Sequence, residues 1–472
     1  MKALSLLLLI TTCCVTFAQN KQLLYGFHEI PQNLLINPGA PVTNNGFIGI
    51  PFLSHIHANL GMSKLTVYDV FADDGRDFNS KLKDAIYAMK DTDYFAVNQQ
   101  LDLFSAGFAF GRGFEKDKYL SFGMYQETNA FVYFPKDYAV LAYEGNHENI
   151  DRVFNLGHLN TSAEILAVFH LGFNKKVNKK LTYGLRGKIY SSIFNVNATN
   201  NRGTFQTTVG ENNFLNHQFY LDLEVQTSGL KSLLEDENTE LSKDISTIVQ
   251  RAFFGGNLGL GLDIGFTYSF TDQWMLEASI QDVGFIKYNK DIENYKLDGN
   301  LTFEGINPLF PESGEGQTAE EYWDTVEEDF EELFKIDTTN TKYTLVKPIK
   351  FNAVLQYAFG KKNSKECNCL SVQEDFQNRV GAHLFLMKRP RKPQAALTAF
   401  YYRRLLSNLG IKTIYTLDAY SFSNVGLAVS TTIKNIHFYI AVDNLLKYKN
   451  LAKAQSVSLQ LGFNYIFKSN EN

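Results

Sequence analysis

The stretch Asn257-Leu258-Gly259-Leu260-Gly261-Leu262-Asp263-Ile264-Gly265-Phe266-Thr267-Tyr268-Ser269-Phe270 decides the fold. Every second residue is large and apolar, and the residues between are glycine, small or polar. Side chains of a strand point alternately to its two faces, so this segment has one greasy face and one polar face. After Thr271-Asp272-Gln273 the pattern restarts, with Trp274, Leu276, Ala278 and Ile280 against Met275, Glu277, Ser279 and Gln281. The same period runs through Leu181, Tyr183, Leu185 and Ile189, through Ile436, Phe438, Ile440 and Val442, and through Val457 to Phe467.

Composition narrows the class. The chain has 472 residues, 44% apolar and 14% aromatic, with 39 Phe, 25 Tyr, 33 Gly and only 4 Cys. That apolar content excludes a disordered chain, and the cysteines are too few for a disulfide scaffold. A net charge of −5 gives no footprint for nucleic acid, so none is expected as a partner. Past the N-terminus no stretch approaches 18 apolar residues, so no transmembrane helix is expected. Long strands with aromatic ends, joined by alternately short and long connectors, instead predict an all-β transmembrane antiparallel barrel facing outer-membrane lipid. A soluble β-sandwich would explain the alternation but not the loop asymmetry.

The N-terminus reads as an export signal. Met1-Lys2, an apolar run from Ala3 to Ile10 and Thr16-Phe17-Ala18 form a leader expected to be cut after Ala18. Cys13 and Cys14 lack the Leu-x-Gly/Ala context of a lipidation site. The mature chain is then placed in the outer membrane.

Strands are expected near 45–56, 95–110, 118–133, 157–173, 180–195, 256–270, 273–288, 348–359, 379–388, 394–404, 411–422, 425–433, 436–445 and 456–467. That makes fourteen, and 203–209 with 213–228 would make sixteen. With both termini periplasmic, connectors 57–94, 134–156, 196–255 and 289–347 face outward. The short ones at 111–117, 174–179, 271–273 and 434–435 face the periplasm, while 360–378 is long for that side. The domains are then a leader (1–18), an N-terminal hatch segment (19–44), the barrel (45–467) and a short tail (468–472).

Loop 289–347 is acidic, with eleven Asp/Glu and one Lys between Glu312 and Asp337. Within it Trp323, Val326, Phe330 and Phe334 recur at helical spacing and predict a cap helix that packs on the barrel mouth or meets a partner. Further helices are expected at Phe78–Met89 and across Gly229–Phe253. The acidic loop lacks a regular calcium-loop pattern, and no metal site or cofactor is expected. Cys367-Asn368-Cys369 is too closely spaced for an easy disulfide and lacks further zinc ligands nearby. Leu34-Leu35-Ile36-Asn37-Pro38-Gly39 is an apolar step followed by turn residues, either a tail with one turn or a hatch folded into the lumen.

No nucleotide-binding, zinc-protease or serine-hydrolase motif is present, and an enzyme is not expected. Inward positions read as mostly Gly, Ser and Thr, which argues against an open porin and for a blocked lumen.

Asn37-Pro38-Gly39 resembles the Asn-Pro-Ala type N-terminal motif of barrels similar to the long-chain fatty-acid transporter. Asp263–Tyr268 followed by Asp282–Tyr288 resembles paired strands of an uncharacterised outer-membrane barrel family of Bacteroidota. So do Phe303–Asn307, Tyr343–Pro348 and Asp443–Leu446. The resemblance spans almost the whole mature chain. It implies a fourteen-strand barrel related to fatty-acid transporters and to barrel partners of type IX secretion and gliding. Gly39 departs from the usual Ala, and no ligand residues carry over. Two functions follow as expectations. One is a plugged barrel that binds or imports a hydrophobic small molecule. The other is a scaffold in an outer-membrane protein complex for secretion, gliding, adhesion or barrel assembly.

Overall fold

The computed structural model describes residues 21–111, 116–198, 200–210, 215–231, 241–303, 323–324, 327, 335–360, 376–418 and 420–467. The leader, Cys367, Cys369, the tail 468–472, and Val326, Phe330 and Phe334 of the expected cap helix lie outside the described residues. Trp323, of that helix, is helical and exposed.

The fold is all-β. Its strands are β1 (Gly46–Gly49 continued by Ile56–Met62), β2 (Tyr94–Phe110), β3 (Lys118–Tyr133), β4 (Thr161–Lys176), β5 (Leu181–Ala198), β6 (Asn257–Ser269) and β7 (Trp274–Tyr288). They continue with β8 (Tyr343–Val346 continued by Lys350–Phe359), β9 (Asn378–Met387), β10 (Gln394–Leu406), β11 (Leu409–Leu417), β12 (Asn424–Ile433), β13 (Ile436–Val442) and β14 (Ser456–Phe467). Each pairs antiparallel with its neighbours in sequence, as β5 and β6 do from Asn257↔Ser192 to Tyr268↔Leu181. The seam between β1 and β14 closes the ring, with Gly46↔Phe467 and Ile56↔Leu461 in register. Closure leaves no edge, which is what a sheet needs where lipid offers no hydrogen bonds.

Alternation sets what each face meets. In β6, Leu258, Leu260, Leu262, Ile264 and Phe266 all point out and are exposed, Leu260 at 58%. Asp263, Thr267 and Ser269 point in and are buried. An exposed apolar wall of this extent is stable only against hydrocarbon, so the barrel is of the transmembrane kind.

Two local departures shape the wall. In β7 both Gln281 and Asp282 stand opposite the single residue Asp263 of β6. Asp282 has φ 62°, and its N–H donates to Asp263 Oδ1 at 2.7 Å. This bulge turns two successive side chains inward, where simple alternation would send one to lipid. In β1, residues 50–55 leave the ladder. Pro51, Phe52 and Leu53 face out while Ser54 and His55 are buried.

The long connections gather at one end and fold into a cap. Helices α1 (Val67–Phe71), α2 (Phe78–Ala88) and α3 (Lys136–Glu144) pack beside a second sheet. That sheet comprises Val153–Asn155, Arg202–Thr208, Asn216–Ser228, Asn294–Phe303 and Asp337–Thr339. Ile86, Val140, Phe154, Leu156, Phe205 and Leu221 form their shared core. Asp77 caps α2 by accepting from Ser80 N–H at 2.9 Å. The hairpin that would have raised the count to sixteen is here. It pairs with Asn294–Phe303 and meets the barrel at its end, where Gln226–Ser228 pair with Asn195–Asn197 of β5 and Ser228 accepts from Asn257 of β6 at 2.7 Å.

The wall makes a direct prediction. Ile264→Arg places a charge on the lipid face and should cost about 2–4 kcal/mol of folding stability near mid-bilayer. Denaturant titration of the folded fraction in lipid vesicles measures it.

Candidate functional site

The interior is filled by the chain's own start. Residues 21–40 form a succession of tight turns. Leu24, Phe27, Ile30 and Asn33 each donate to the carbonyl three residues back, at 3.0–3.1 Å. A short 3-10 helix, Pro31–Leu35, is opened by Pro31 and continues the series. Turns of this kind satisfy the backbone locally, so the segment can sit in the lumen without joining the sheet. Its apolar side chains face one wall. Leu23, Leu24, Tyr25, Phe27, Ile30 and Ile36 pack with Val354, Phe400, Tyr402, Ile414, Tyr439 and neighbours from β8 and β10 to β13.

Asn37-Pro38-Gly39 meets the opposite wall backbone to backbone. A Cβ on Gly39 would stand 2.3 Å from the Gly265 carbonyl oxygen. A Cβ on Gly184 would stand 2.0 Å from the Pro38 carbonyl oxygen, and one on Gly265 2.1 Å from Asn37 Oδ1. Gly184 and Gly265 are register partners on β5 and β6, so together they make a flat window in the wall. Around it Asn174 Nδ2 donates to the Pro38 and Ala40 carbonyls at 2.7 and 2.9 Å. Thr267 donates its hydroxyl to the Gly39 carbonyl at 2.8 Å, and Asn37 Nδ2 donates to Glu277 at 3.3 Å. This explains why glycine stands where the resembling motif has alanine: the wall leaves no room for a methyl.

Charges fasten the segment elsewhere. Glu29 pairs with Arg379 of β9 at 3.1 Å and Arg404 of β10 at 3.3 Å, and accepts from the Tyr402 hydroxyl at 2.5 Å. Burial pushes its carboxyl up, but Arg379, Arg404 and the Tyr402 hydroxyl outweigh that and hold it below the usual carboxylate range. These pairs are therefore formed at neutral pH and weaken only as acid approaches that lowered value. His28 meets Glu277 at 2.8 Å and Arg379 at 3.0 Å. Gln32 and Asn464 exchange two amide hydrogen bonds of 2.7 and 3.0 Å.

A second charge network lies on the wall of β3 and β5 to β8. Arg186 binds Asp263, with Nε to Oδ2 at 2.7 Å, and also donates to the Leu34 carbonyl at 2.9 Å. Lys188 bridges Asp263 (2.9 Å) and Asp282 (2.5 Å). Lys350 joins Asp282 (2.8 Å) to Glu127 (3.7 Å). Three cations thus meet three anions, and the Leu34 and Leu35 carbonyls of the inner segment take the remaining guanidinium donors. Small residues do line the wall where the backbone of 37–39 touches it. Elsewhere the expectation of mainly Gly, Ser and Thr is corrected, because the inward face of β5 to β8 carries charges that neutralise one another.

Two cavities flank the segment. One, of about 530 Å³, is lined by Lys21, Leu35 and Ile36 of the segment together with Asn98, Glu127, Asn129, Lys350, Asn352 and Phe385. The other, of about 910 Å³, opens at the short-turn end and is lined by His28, Glu29 and Pro41–Asn44 with Lys118, Lys180, Arg379 and Arg404. Tyr125, Leu166, Val168, Tyr190, Ile286 and Tyr288 pack into a separate buried cluster, while the apolar lining of the first cavity is Leu35, Ile36 and Phe385. Lys21 donates to Gln100 there, and burial draws its ammonium down to about 8.

Of the residues singled out in the sequence, Asn37, Pro38 and Gly39 come together at the glycine window. Trp323 is exposed and takes no part in the lumen contacts described above. The sequence reading missed Glu29, Arg186, Lys188, Asp263, Asp282 and Lys350. A usable signal existed, since a charge on the polar face of a lipid-spanning strand has nowhere to point but inward.

A closed transmembrane barrel of fourteen strands, its lumen occupied by an N-terminal segment, is the class that this geometry defines. A family profile, "Family of unknown function (DUF5723)", matches residues 38–443, and the chain belongs to that family. No curated protein matches it in sequence. Among solved structures it is similar to the toluene transporter TodX of Pseudomonas putida, 10% identical over 92% of this chain and 91% of that one, with a TM-score of 0.38. It is also similar to a Pseudomonas aeruginosa FadL homologue, 8% identical over 96% and 99%, with a TM-score of 0.42.

The window yields a test. Gly39→Val overpacks it by about 1–3 kcal/mol, and tenfold in an opening equilibrium is about 1.4 kcal/mol. Amide exchange across 21–40 should therefore rise roughly tenfold, while Gly187→Ala on the open outer face leaves it unchanged.

Proposed function

We propose that the protein is a gated outer-membrane barrel that binds and imports a small molecule, with the N-terminal segment as its hatch. The carrying observation is that the hatch separates two cavities and lines both. A molecule entering the outer cavity touches Lys21, Leu35 and Ile36, so its binding and the hatch's position are linked. Leu35, Ile36 and Phe385 of its lining suit a hydrophobic body, while Asn98, Asn129, Asn352 and the Lys350–Glu127 pair suit a polar end. The ligand class proposed is thus a hydrophobic molecule with one polar group. In this reading the leader is removed after Ala18, the cap faces outward, the short turns face the periplasm, and no chemistry is performed on the ligand.

Glu29→Gln leaves Arg379 and Arg404 without their anion and should loosen the hatch by about 2 kcal/mol or more. Deleting 19–44 should open the lumen. In proteoliposomes the intact barrel is expected to pass a small apolar fluorophore slowly, the Glu29→Gln variant faster and the deletion fastest. Equal permeability in all three would sink the transport reading.

One observation favours a second reading, a scaffold within an outer-membrane complex. The cap has a hydrophobic core and a sheet of its own, more structure than a simple pore mouth needs. A stoichiometric protein partner in mild detergent extract, lost when the cap sheet is deleted but not when 19–44 is deleted, would support it.

A further inference from the structure

Just before β6 the chain leaves the cap and lies against the outside of the barrel. Leu241–Gln250 is an α-helix, here α4, and Arg251–Gly255 follows it, leaving helical geometry at Phe253 and Phe254. Arg251, Phe253 and Phe254 hold this stretch in place. The Ser191 hydroxyl of β5 donates to the Arg251 carbonyl at 2.5 Å. Arg251 Nη1 donates to the Ile193 carbonyl at 3.2 Å, and the same guanidinium pairs with Asp291. The Phe254 ring stacks on Phe169 of β4 with centroids 4.2 Å apart, and Phe253 meets the same ring at 6.1 Å.

Those partners are on the outer face. Leu185 and Ile189 of β5 point to lipid, so Ser191 is the next outward position, yet it is fully buried. The helix covers it. The level is also fixed. Ser191 is the register partner of Leu258, the first lipid-facing residue of β6 at its cap end. The stretch therefore rests at the outer rim of the apolar belt.

Its own faces divide at helical spacing. At 100° per residue Ile248, Ala252, Ile245 and Val249 make one continuous apolar arc, followed by the polar Ser246 and Gln250, and Phe253 stands just past the end of the regular helix. Ile248 is half-buried, whereas Ile245, Val249 and Phe253 are exposed at 44%, 50% and 56%. An exposed arc continuous with the lipid-facing wall, edged by polar residues on the other side, has the geometry of a helix lying in the plane of a bilayer surface.

We propose that Leu241–Gly255 is an in-plane membrane-surface helix, with Ile245, Val249 and Phe253 seated among the acyl chains of the outer leaflet. The occupant of this face is lipid. The inference needs only the membrane-spanning barrel and is independent of what passes through it.

The test uses the full mature chain carrying Cys367→Ser and Cys369→Ser, folded into vesicles of phosphatidylethanolamine and phosphatidylglycerol. An environment-sensitive dye is placed at Val249→Cys, Ile245→Cys or Gln250→Cys. Lipids brominated near the headgroup end of the chain serve as quenchers. The labels at 245 and 249 should emit further to the blue than that at 250 and be quenched about threefold more. Equal, weak quenching at all three, with water-like emission, overturns the proposal, as does blue emission that lipid quenchers do not touch, since that means a protein surface covers the face. Ile245→Asp with Val249→Asp gives a second reading. The barrel should keep its heat-modifiable gel mobility while the segment becomes open to trypsin after Lys243. A folded double variant as resistant as the parent also overturns it.

Discussion

A bilayer offers no water to an unpaired amide, and from that constraint the rest of the structure follows. The sheet must close, and with fourteen strands it closes around a lumen wider than wall side chains alone can fill. Something must occupy the space. The chain supplies it from its own start, as a run of tight turns that meets its backbone needs locally and asks the wall only for side-chain contacts. Because that filling is polar on one side, the wall opposite can hold charged groups, provided they pair. Arg186, Lys188 and Lys350 with Asp263, Asp282 and Glu127 meet that condition as a balanced set. The same residues unpaired would each cost several kcal/mol in this setting.

The inner segment is fastened in three chemically different ways around its circumference. Toward β8 and β10 to β13 it is held by apolar packing, toward β5 and β6 by backbone contact across paired glycines, and at its lowest turn by Glu29 between two arginines. Such a division gives each fastening its own sensitivity. Packing yields to a hydrophobic competitor, the glycine window to an added methyl, and the ion pairs to charge removal. The cavity lined by Lys21 and Lys350 reaches the first of these directly, through Ile36.

Much of this was legible in the residues, for identifiable reasons. Strict alternation in 257–270 and 456–467 arises because lipid punishes any polar residue on the outer face, so strand positions and number could be read with little error. The helix expected at Phe78–Met89 stands at Phe78–Ala88, opened by its Asp77 cap. The interior was harder. Arg186 and Asp263 are 77 positions apart, and nothing local to either announces the other. The bulge at Gln281-Asp282 hides because both residues are polar, so the slipped phase leaves no trace in the hydrophobic pattern. The cap sheet was half seen. The hairpin 202–228 reads as two strands, but its partner Asn294–Phe303 lies beyond β6 and β7, and tertiary pairing alone decides that it leaves the barrel. Asn37-Pro38-Gly39 could be picked out as a turn, whereas its glycine partners could not.

The seam between β1 and β14 has a consequence for assembly. Gln32 of the inner segment touches Asn464, 432 residues away, and the barrel's first strand waits for its last. Contacts of such separation form late, since the entropy of bringing the ends together must be met first. Until then the structure is an open, curved sheet with two unsatisfied edges, and the inner segment is tethered directly to one of them. Held against the concave side, the segment brings Gln32 to the place where Asn464 of the last strand must arrive. The filling thus doubles as a guide for closure, offering the last strand a partner on the inner face of the first.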